Sequence, residues 1–84
     1  MTQKVIVLFR SLTRAQHAAR RLAGAGIGTG LRRTPGPLSP GGCGYCLRLP
    51  EERLAQALRV LREVGIDFGR VWREEADGYN EVVV

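Results

Sequence analysis

The sequence predicts an α+β fold made of two strand–helix–strand units, because two amphipathic segments align after a shift of 39 residues. The aligned pairs are Ala15 with Leu54, Ala18 with Ala57, Ala19 with Leu58, Leu22 with Leu61, Ala25 with Val64 and Gly26-Ile27 with Gly65-Ile66. Two such units in tandem, joined by a tight link, form the ferredoxin-like β-α-β-β-α-β sandwich with a four-stranded antiparallel sheet. A chain of 84 residues is long enough for one small domain, with a predicted core at 4–73.

The first unit begins with the continuously apolar strand Val5–Phe9, which is typical of a strand in the centre of a sheet. A helix follows, and Thr13 with Gln16 forms a capping-box pattern at its start. Gly24 or Gly26 is expected to end this helix. The second strand is predicted at 27–33, where Gly28 and Gly30 weaken it.

The second unit begins with residues 45–49, which alternate as a half-buried strand does. Pro50 suits the first turn of a helix, and the acidic Glu51 and Glu52 suit the positive end of its dipole. Gly65 is expected to close this helix. The fourth strand is predicted at 66–73, and strands one and three should occupy the centre of the sheet.

The C-terminal tail at 74–84 lies outside the repeat. Asp77-Gly78 is a turn signal, after which residues 81–84 form either an extra edge strand or a frayed tail. An unpaired edge strand that ends in three valines can pair with a second chain, so a homodimer through the C-terminal strand is one alternative.

The composition limits the classes of function. No apolar run is long enough to span a bilayer, and the N-terminal residues do not form an export signal, so the expected location is cytoplasmic. Thirteen Lys and Arg against eight Asp and Glu give a net charge of +5. This charge indicates either an anionic partner or simply solvated helix faces, because the arginines are dispersed. The histidine and the two cysteines lack the spacing of metal ligands, and no cofactor is expected.

Cys43 is the predicted reactive residue, and it lies in a Gly/Pro-rich loop between strands two and three. In the predicted topology this loop and the start of the first helix lie at the same end of the sheet. Helix amides and guanidinium groups there would lower the pKa of the thiol. The predicted anion-stabilising residues are Arg10, Ser11, Thr13, Arg14 and Gly44.

Cys46 completes the motif Cys-Gly-Tyr-Cys, and two roles remain open for it. It is either filler on the less covered face of the sheet or a resolving thiol for Cys43. In an extended strand the two cysteines would lie about 10 Å apart, so a disulfide requires a turn at Gly44-Tyr45. The four letters are glutaredoxin-like, but a strand follows them here, whereas a helix follows a glutaredoxin-type pair.

Several of these segments together resemble the small selenium/sulfur carrier-like proteins, a family long described only as a domain of unknown function. The segments are Val7–Ser11, the Gly26-Ile27 helix end, Pro35–Ser39 and Cys43–Tyr45. The resemblance covers about 4–73 and implies a carrier in which Cys43 holds a persulfide or selenopersulfide. The chain departs from the family pattern at Cys46, where a small residue is usual, and in its tail.

Three functions therefore compete. The first is a sulfur or selenium carrier that accepts its cargo from a protein such as a cysteine desulfurase and passes it to an acceptor protein. The second is a thiol–disulfide protein that cycles Cys43 and Cys46. The third is a binding module for an anionic partner, although nucleic acid is disfavoured because Tyr45 is the sole aromatic on the third strand.

Overall fold

A computed structural model describes residues 3–38 and 44–84 of the chain. These residues form an α+β fold with two helices and a five-stranded antiparallel sheet. The strands are β1 (Lys4–Phe9), β2 (Gly30–Arg33), β3 (Tyr45–Pro50), β4 (Val71–Glu75) and β5 (Gly78–Val82), and the helices are α1 (Leu12–Gly24) and α2 (Leu54–Glu63). The order across the sheet is β2-β3-β1-β4-β5.

Both internal strands of the predicted sheet are where the sequence placed them, because β1 lies between β3 and β4, and β3 between β2 and β1. Val7 marks the centre of β1, where it pairs with Leu47 on one side and with Val71 on the other. On one face Ile6 is buried and Leu8 is half-buried, and the residues of the other face from Val5 to Phe9 are buried, which explains the continuous apolar run. The predicted number of four strands was too small, since β5 adds a fifth at the edge of β4.

The N-cap of helix α1 lies two residues before the predicted one. Ser11 is the N-cap, and its hydroxyl accepts a hydrogen bond from the Arg14 amide at 3.2 Å. The prediction that Thr13 caps the helix was therefore wrong, and Thr13 lies inside the first turn. Ser11 directly follows β1, so its extended backbone turns the chain from the strand into the helix.

The two helices end in the same way. Gly26 and Gly65 adopt positive φ angles of 83° and 73°, which a residue with a side chain rarely takes. The next amide bonds back to the helix in each case, from Ile27 to the Leu22 carbonyl at 2.8 Å and from Ile66 to the Leu61 carbonyl at 2.9 Å. These are Schellman endings with a buried isoleucine after the glycine, and they confirm the alignment of the two helix ends.

The start of the second helix differs from the prediction. Pro50 is the last residue of β3, and a 3-10 turn at Glu51–Arg53 precedes α2. Glu51 accepts two hydrogen bonds from the Arg73 guanidinium, at 2.8 Å from Nε and 2.5 Å from Nη2. This ion pair joins the start of the second helical segment to β4.

The fourth strand begins at Val71, five residues later than predicted, and extends to Glu75. Ile66 is buried as part of the helix ending and does not belong to the strand. The turn predicted at Asp77-Gly78 leads into β5, which pairs along β4 from Glu75 with Gly78 to Val71 with Val82. Of the two alternatives for the tail, the edge strand is the one observed, but it spans 78–82 instead of the predicted 81–84, and Val83 beyond it is 93% exposed.

The hydrophobic core lies between the helices and one face of the sheet. Its buried members are Val5, Val7, Phe9, Ala15, Ala18, Leu22, Ile27, Leu47, Leu49, Leu54, Ala57, Leu58, Leu61, Ile66 and Val71. On the opposite face Ile6 is also buried, and Arg48 and Glu74 form an ion pair at 2.5 Å between strands on either side of it. Neither helix in the described ranges is long and apolar enough to cross a membrane.

Candidate functional site

A cavity of about 650 Å³ lies at the end of the sheet where β1 leads into α1. Four segments converge on it: the end of β1, the first turn of α1, both ends of the β2–β3 connection and the α2–β4 connection. Its lining residues are Leu8, Phe9, Arg10, Arg14, Thr34, Leu38, Gly44, Asp67, Phe68, Gly69 and Arg70. This is the end of the sheet at which the topology predicted a site.

Three of the predicted site residues line this cavity, namely Arg10, Arg14 and Gly44. Ser11 and Thr13 are not part of the lining, although Ser11 holds the helix start in place. Cys43 lies outside the described residues, so its predicted proximity to the helix start stays a prediction. The chain itself joins Cys43 to Gly44, which lines the cavity.

The N-terminus of α1 offers fewer amides than the sequence suggested. The Arg14 amide is occupied by the Ser11 hydroxyl, and the Ala15 amide bonds to the Ser11 carbonyl at 3.1 Å. The geometry of a helix leaves the amides of Leu12 and Thr13 without a partner inside it. No acidic residue stands in the first turn, so the positive end of the dipole is not neutralised there.

The two ends of the β2–β3 connection are held together beside the cavity. The Thr34 amide donates to the Gly44 carbonyl at 3.2 Å, which extends the pairing of β2 and β3 by one step. A 3-10 turn at Gly36–Leu38 then leads away from Thr34, with the Leu38 amide donating to the Pro35 carbonyl at 2.9 Å. Leu38 and Gly44, the described residues on either side of 39–43, therefore both lie in the cavity wall.

The α2–β4 connection forms a wall that the sequence analysis missed. The Gly69 amide donates to the Leu8 carbonyl at 2.7 Å, and the Leu8 amide donates to the Arg70 carbonyl at 3.0 Å. A Cβ at position 69 would lie 3.3 Å from the Leu8 carbonyl oxygen, so this close approach favours glycine. The signal was Gly69 itself, an isolated glycine inside a predicted strand, which often marks a close backbone approach.

The charged groups of the lining are three guanidiniums, from Arg10, Arg14 and Arg70, and one carboxylate, from Asp67. Among the described residues, Arg10 and Arg14 form no ion pair. Arg70 is close to Glu81 of β5, with 3.8 Å between its Nε and the carboxylate. The lining is therefore net positive and suited to an anion.

Cys46 lies on the face of the sheet opposite the helices and is fully buried there. Its Sγ is 3.8 Å from the Arg33 carbonyl oxygen, to which it donates. Burial raises the pKa of the Cys46 thiol, an effect that Arg32 opposes and Glu74 reinforces. A thiol with these properties is a poor nucleophile, which favours the filler role over the resolving role.

A comparison with known protein families gives one match, to the family described as "Putative Se/S carrier protein-like", over residues 4–73. The match includes both repeat units and the cavity and ends within β4. No curated protein and no solved structure matches the chain significantly.

Proposed function

Since the chain belongs to the Se/S carrier protein-like family, we propose that it carries sulfur or selenium as a persulfide or selenopersulfide on Cys43. The observation that supports this proposal most is the cavity at the loop ends, where three arginines meet Gly44, the residue next to Cys43. A persulfide is largely an anion near neutral pH, and cationic side chains favour such an anion.

The proposed loading step is a transfer between two sulfur atoms. The Cys43 thiolate attacks the outer sulfur of a persulfide on the donor, so one S–S bond forms on Cys43 while the donor's S–S bond breaks. The donor leaves as a thiolate, and the proton of the outer sulfur stays with the new persulfide or is released to water. Delivery repeats the same exchange with an acceptor nucleophile. No redox cofactor or metal is needed for either exchange.

Each group of the cavity has a role in this scheme. Arg10 and Arg14 stabilise the anion, and the uncapped amides of Leu12 and Thr13 add the partial positive charge of the helix start. Ser11 positions that helix start through its bond to the Arg14 amide. The proposed donor is a cysteine desulfurase-like protein in the cytoplasm, and a protein acceptor takes the cargo.

The burial of Cys46 weighs against the thiol–disulfide alternative. A resolving thiol must reach the sulfur of Cys43, and Cys46 is closed off from solvent with a raised pKa. We also propose that the first four strands and the two helices form a ferredoxin-like unit, supported by the internal position of β1 and β3, with β5 added at the β4 edge.

Intact-mass spectrometry after incubation with a cysteine desulfurase and cysteine tests the carrier function. We expect the wild-type protein to gain the mass of one sulfur atom, which a reducing thiol then removes. Cys43→Ala should lose this gain, and Cys46→Ala, the matched control, should keep it. A parallel reaction with a selenocysteine-cleaving enzyme tests selenium.

A different result would contradict the proposal. If Cys43→Ala gains as much sulfur as the wild type, a residue other than Cys43 accepts the sulfur atom. A loss of two hydrogen atoms on mild oxidation, without any sulfur transfer, would support the thiol–disulfide function instead.

A further inference from the structure

The cavity is much larger than the sulfur atom that the proposed function places beside it. Its volume of about 650 Å³ lies in the range of about 300–1,000 Å³ that is typical of small-molecule sites. A single extra sulfur on Cys43 would occupy only a small part of this volume. The cavity is therefore large enough for a small molecule.

The lining has an apolar part and a cationic part. Leu8, Phe9, Leu38 and Phe68 supply the apolar part, while the three guanidiniums supply the positive charge. The Arg62 guanidinium lies over the Phe68 ring at 5.7 Å, which helps to hold that ring in the wall. An inorganic anion would use only the cationic part, whereas a small organic anion uses both.

We propose that this cavity binds a small organic carboxylate, which extends the proposed carrier function by giving the same site a small-molecule ligand. A guanidinium matches a carboxylate through two parallel hydrogen bonds. The Asp67 carboxylate in the wall opposes a dianion such as phosphate more strongly than a monoanion. Thiol-bearing carboxylic acids fit this description, because their thiolate can attack the outer sulfur of a Cys43 persulfide. A new S–S bond then forms on the ligand while the S–S bond on Cys43 breaks, and Cys43 leaves as a thiolate.

Of the three arginines that line the cavity, Arg70 is the one that forms an ion pair with another described residue. Its Nε lies 3.8 Å from the Glu81 carboxylate, and the side chains of Arg70 and Glu81 are 72% and 43% exposed. Such an exposed pair is weak and easily exchanged. Because Glu81 pairs with Arg70, its carboxylate competes with the ligand's carboxylate for this guanidinium. Glu81 belongs to β5, which lies beyond the residues that match the family.

The test uses probes that cannot exchange sulfur, so that binding is separated from the carrier reaction. We choose 3-(methylthio)propionate, its neutral amide and inorganic phosphate, each titrated into the full chain and followed by NMR or calorimetry. We expect saturable binding of the carboxylate, with the amide weaker by about tenfold because the charged hydrogen bonds are lost. Phosphate should also bind more weakly than the carboxylate.

Three exposed substitutions refine the test. Arg70→Gln should weaken carboxylate binding by about tenfold, while Glu81→Gln should strengthen it by about twofold to fivefold because the internal competitor is removed. Arg59→Gln, on the exposed side of α2 and outside the cavity lining, is the matched control and should bind as the wild type does.

Equal binding of the amide and the carboxylate would overturn the proposal, and so would phosphate binding that equals or exceeds carboxylate binding. An unchanged or weaker affinity in Glu81→Gln would remove the competing role of the tail. Cys43→Ser should bind the probe as the wild type does, so a failure of sulfur loading leaves this result intact. Conversely, a protein that loads sulfur but does not bind the probe would contradict the proposed carboxylate site and leave the carrier function standing.

Discussion

The two strand–helix–strand units share one backbone plan but carry opposite charges where their helical segments begin. In the first unit Ser11 caps a helix whose first turn has no acidic residue and has Arg14 beside the cavity. In the second unit the aligned residue is Pro50, and the next two residues are Glu51 and Glu52.

The difference shows how a duplicated plan can leave only one helix start available to a ligand. At the second start, the negative charges of Glu51 and Glu52 offset the positive end of the helix dipole. Glu51 also pairs with Arg73 of the same protein. At the first start, Arg10 and Arg14 form no ion pair with any described residue, and no acidic residue stands in the first turn of α1. The C-terminal ends of the two helices, by contrast, have the same Schellman geometry. The two units therefore share their helix endings and differ in their helix starts.

Matched core substitutions test whether the two units contribute equally to the scaffold. Leu22 and Leu61 are each 1% exposed and occupy equivalent positions before the Schellman glycine. We expect Leu22→Ala and Leu61→Ala each to lower the free energy of unfolding by about 2–5 kcal/mol. Urea denaturation followed by circular dichroism measures both. If the losses of unfolding free energy in the two variants differ by more than about 2 kcal/mol, the two units do not contribute equally to stability.

The charge difference at the helix starts predicts an unequal effect on Cys43. Arg14 and Arg53 are equivalent in the repeat, but only Arg14 lines the cavity. We expect Arg14→Gln to slow alkylation of Cys43 at neutral pH by up to about fivefold, because the proposed function assigns this guanidinium to stabilise the thiolate.

The rate of iodoacetamide modification, located by peptide mass mapping, gives this measurement, and Arg53→Gln is the control. Equal slowing in both variants would show that net charge, and not position, governs the thiol. The same map should show slow modification of Cys46, whose pKa burial raises.

The two helix endings should respond alike to the loss of their glycines. Gly26 and Gly65 both have positive φ angles, and a Cβ at either position would meet no atom within 4 Å. The cost of Gly26→Ala or Gly65→Ala is therefore conformational, and we expect about 1 kcal/mol for each. Thermal unfolding of the pair checks this, and a loss in only one variant would show that the endings differ in solution.

The smallest effect concerns the ion pair of the second unit. The hydrogen bond from Arg73 is the main cause that lowers the pKa of Glu51. A lowered pKa in the folded state means that the ionised Glu51 stabilises the fold above the ordinary glutamate pKa of about 4.3. This contribution is lost as the pH falls through the lowered folded value.

Unfolding of wild type and Glu51→Gln as a function of pH tests the pair. The wild type should be slightly more stable at neutral pH, and the difference should vanish in acid. A stability difference that persists unchanged at the lowest pH would refute the pair as its source.

The sequence was sufficient for the repeat, the central strands and both helix endings, because apolar periodicity and glycine position determine them locally. It was insufficient at the helix starts. Thr13 with Gln16 satisfies the capping pattern, but the observed cap is Ser11, because β1 ends at Phe9 and the chain must turn at once. The end of β1 therefore decides whether Ser11 or Thr13 is the N-cap, and the capping pattern alone does not contain this information.

The sequence predicted which end of the sheet carries the site but not the cavity there. Arg10, Arg14 and Gly44 followed from topology, since the connections at one end of the sheet must meet. The sequence pattern predicts a strand at Asp67 to Arg70, because Phe68 and Val71 extend the apolar alternation. Only the backbone bonds between Leu8 and this segment show that it forms a wall. Two roles stayed open for Cys46, because one-dimensional alternation indicates the face of β3 on which it lies but not how completely its neighbours bury it.

The closed environment of Cys46 has a consequence for how long a cargo would be retained. A second thiol three residues from a persulfide is a route for internal discharge, which would release sulfide and leave a disulfide. Because Cys46 is fully buried within β3, that route opens only when β3 separates locally from its neighbours. The lifetime of the loaded form would then depend on the free energy of this local opening, a property of the central sheet and not of the reactive loop.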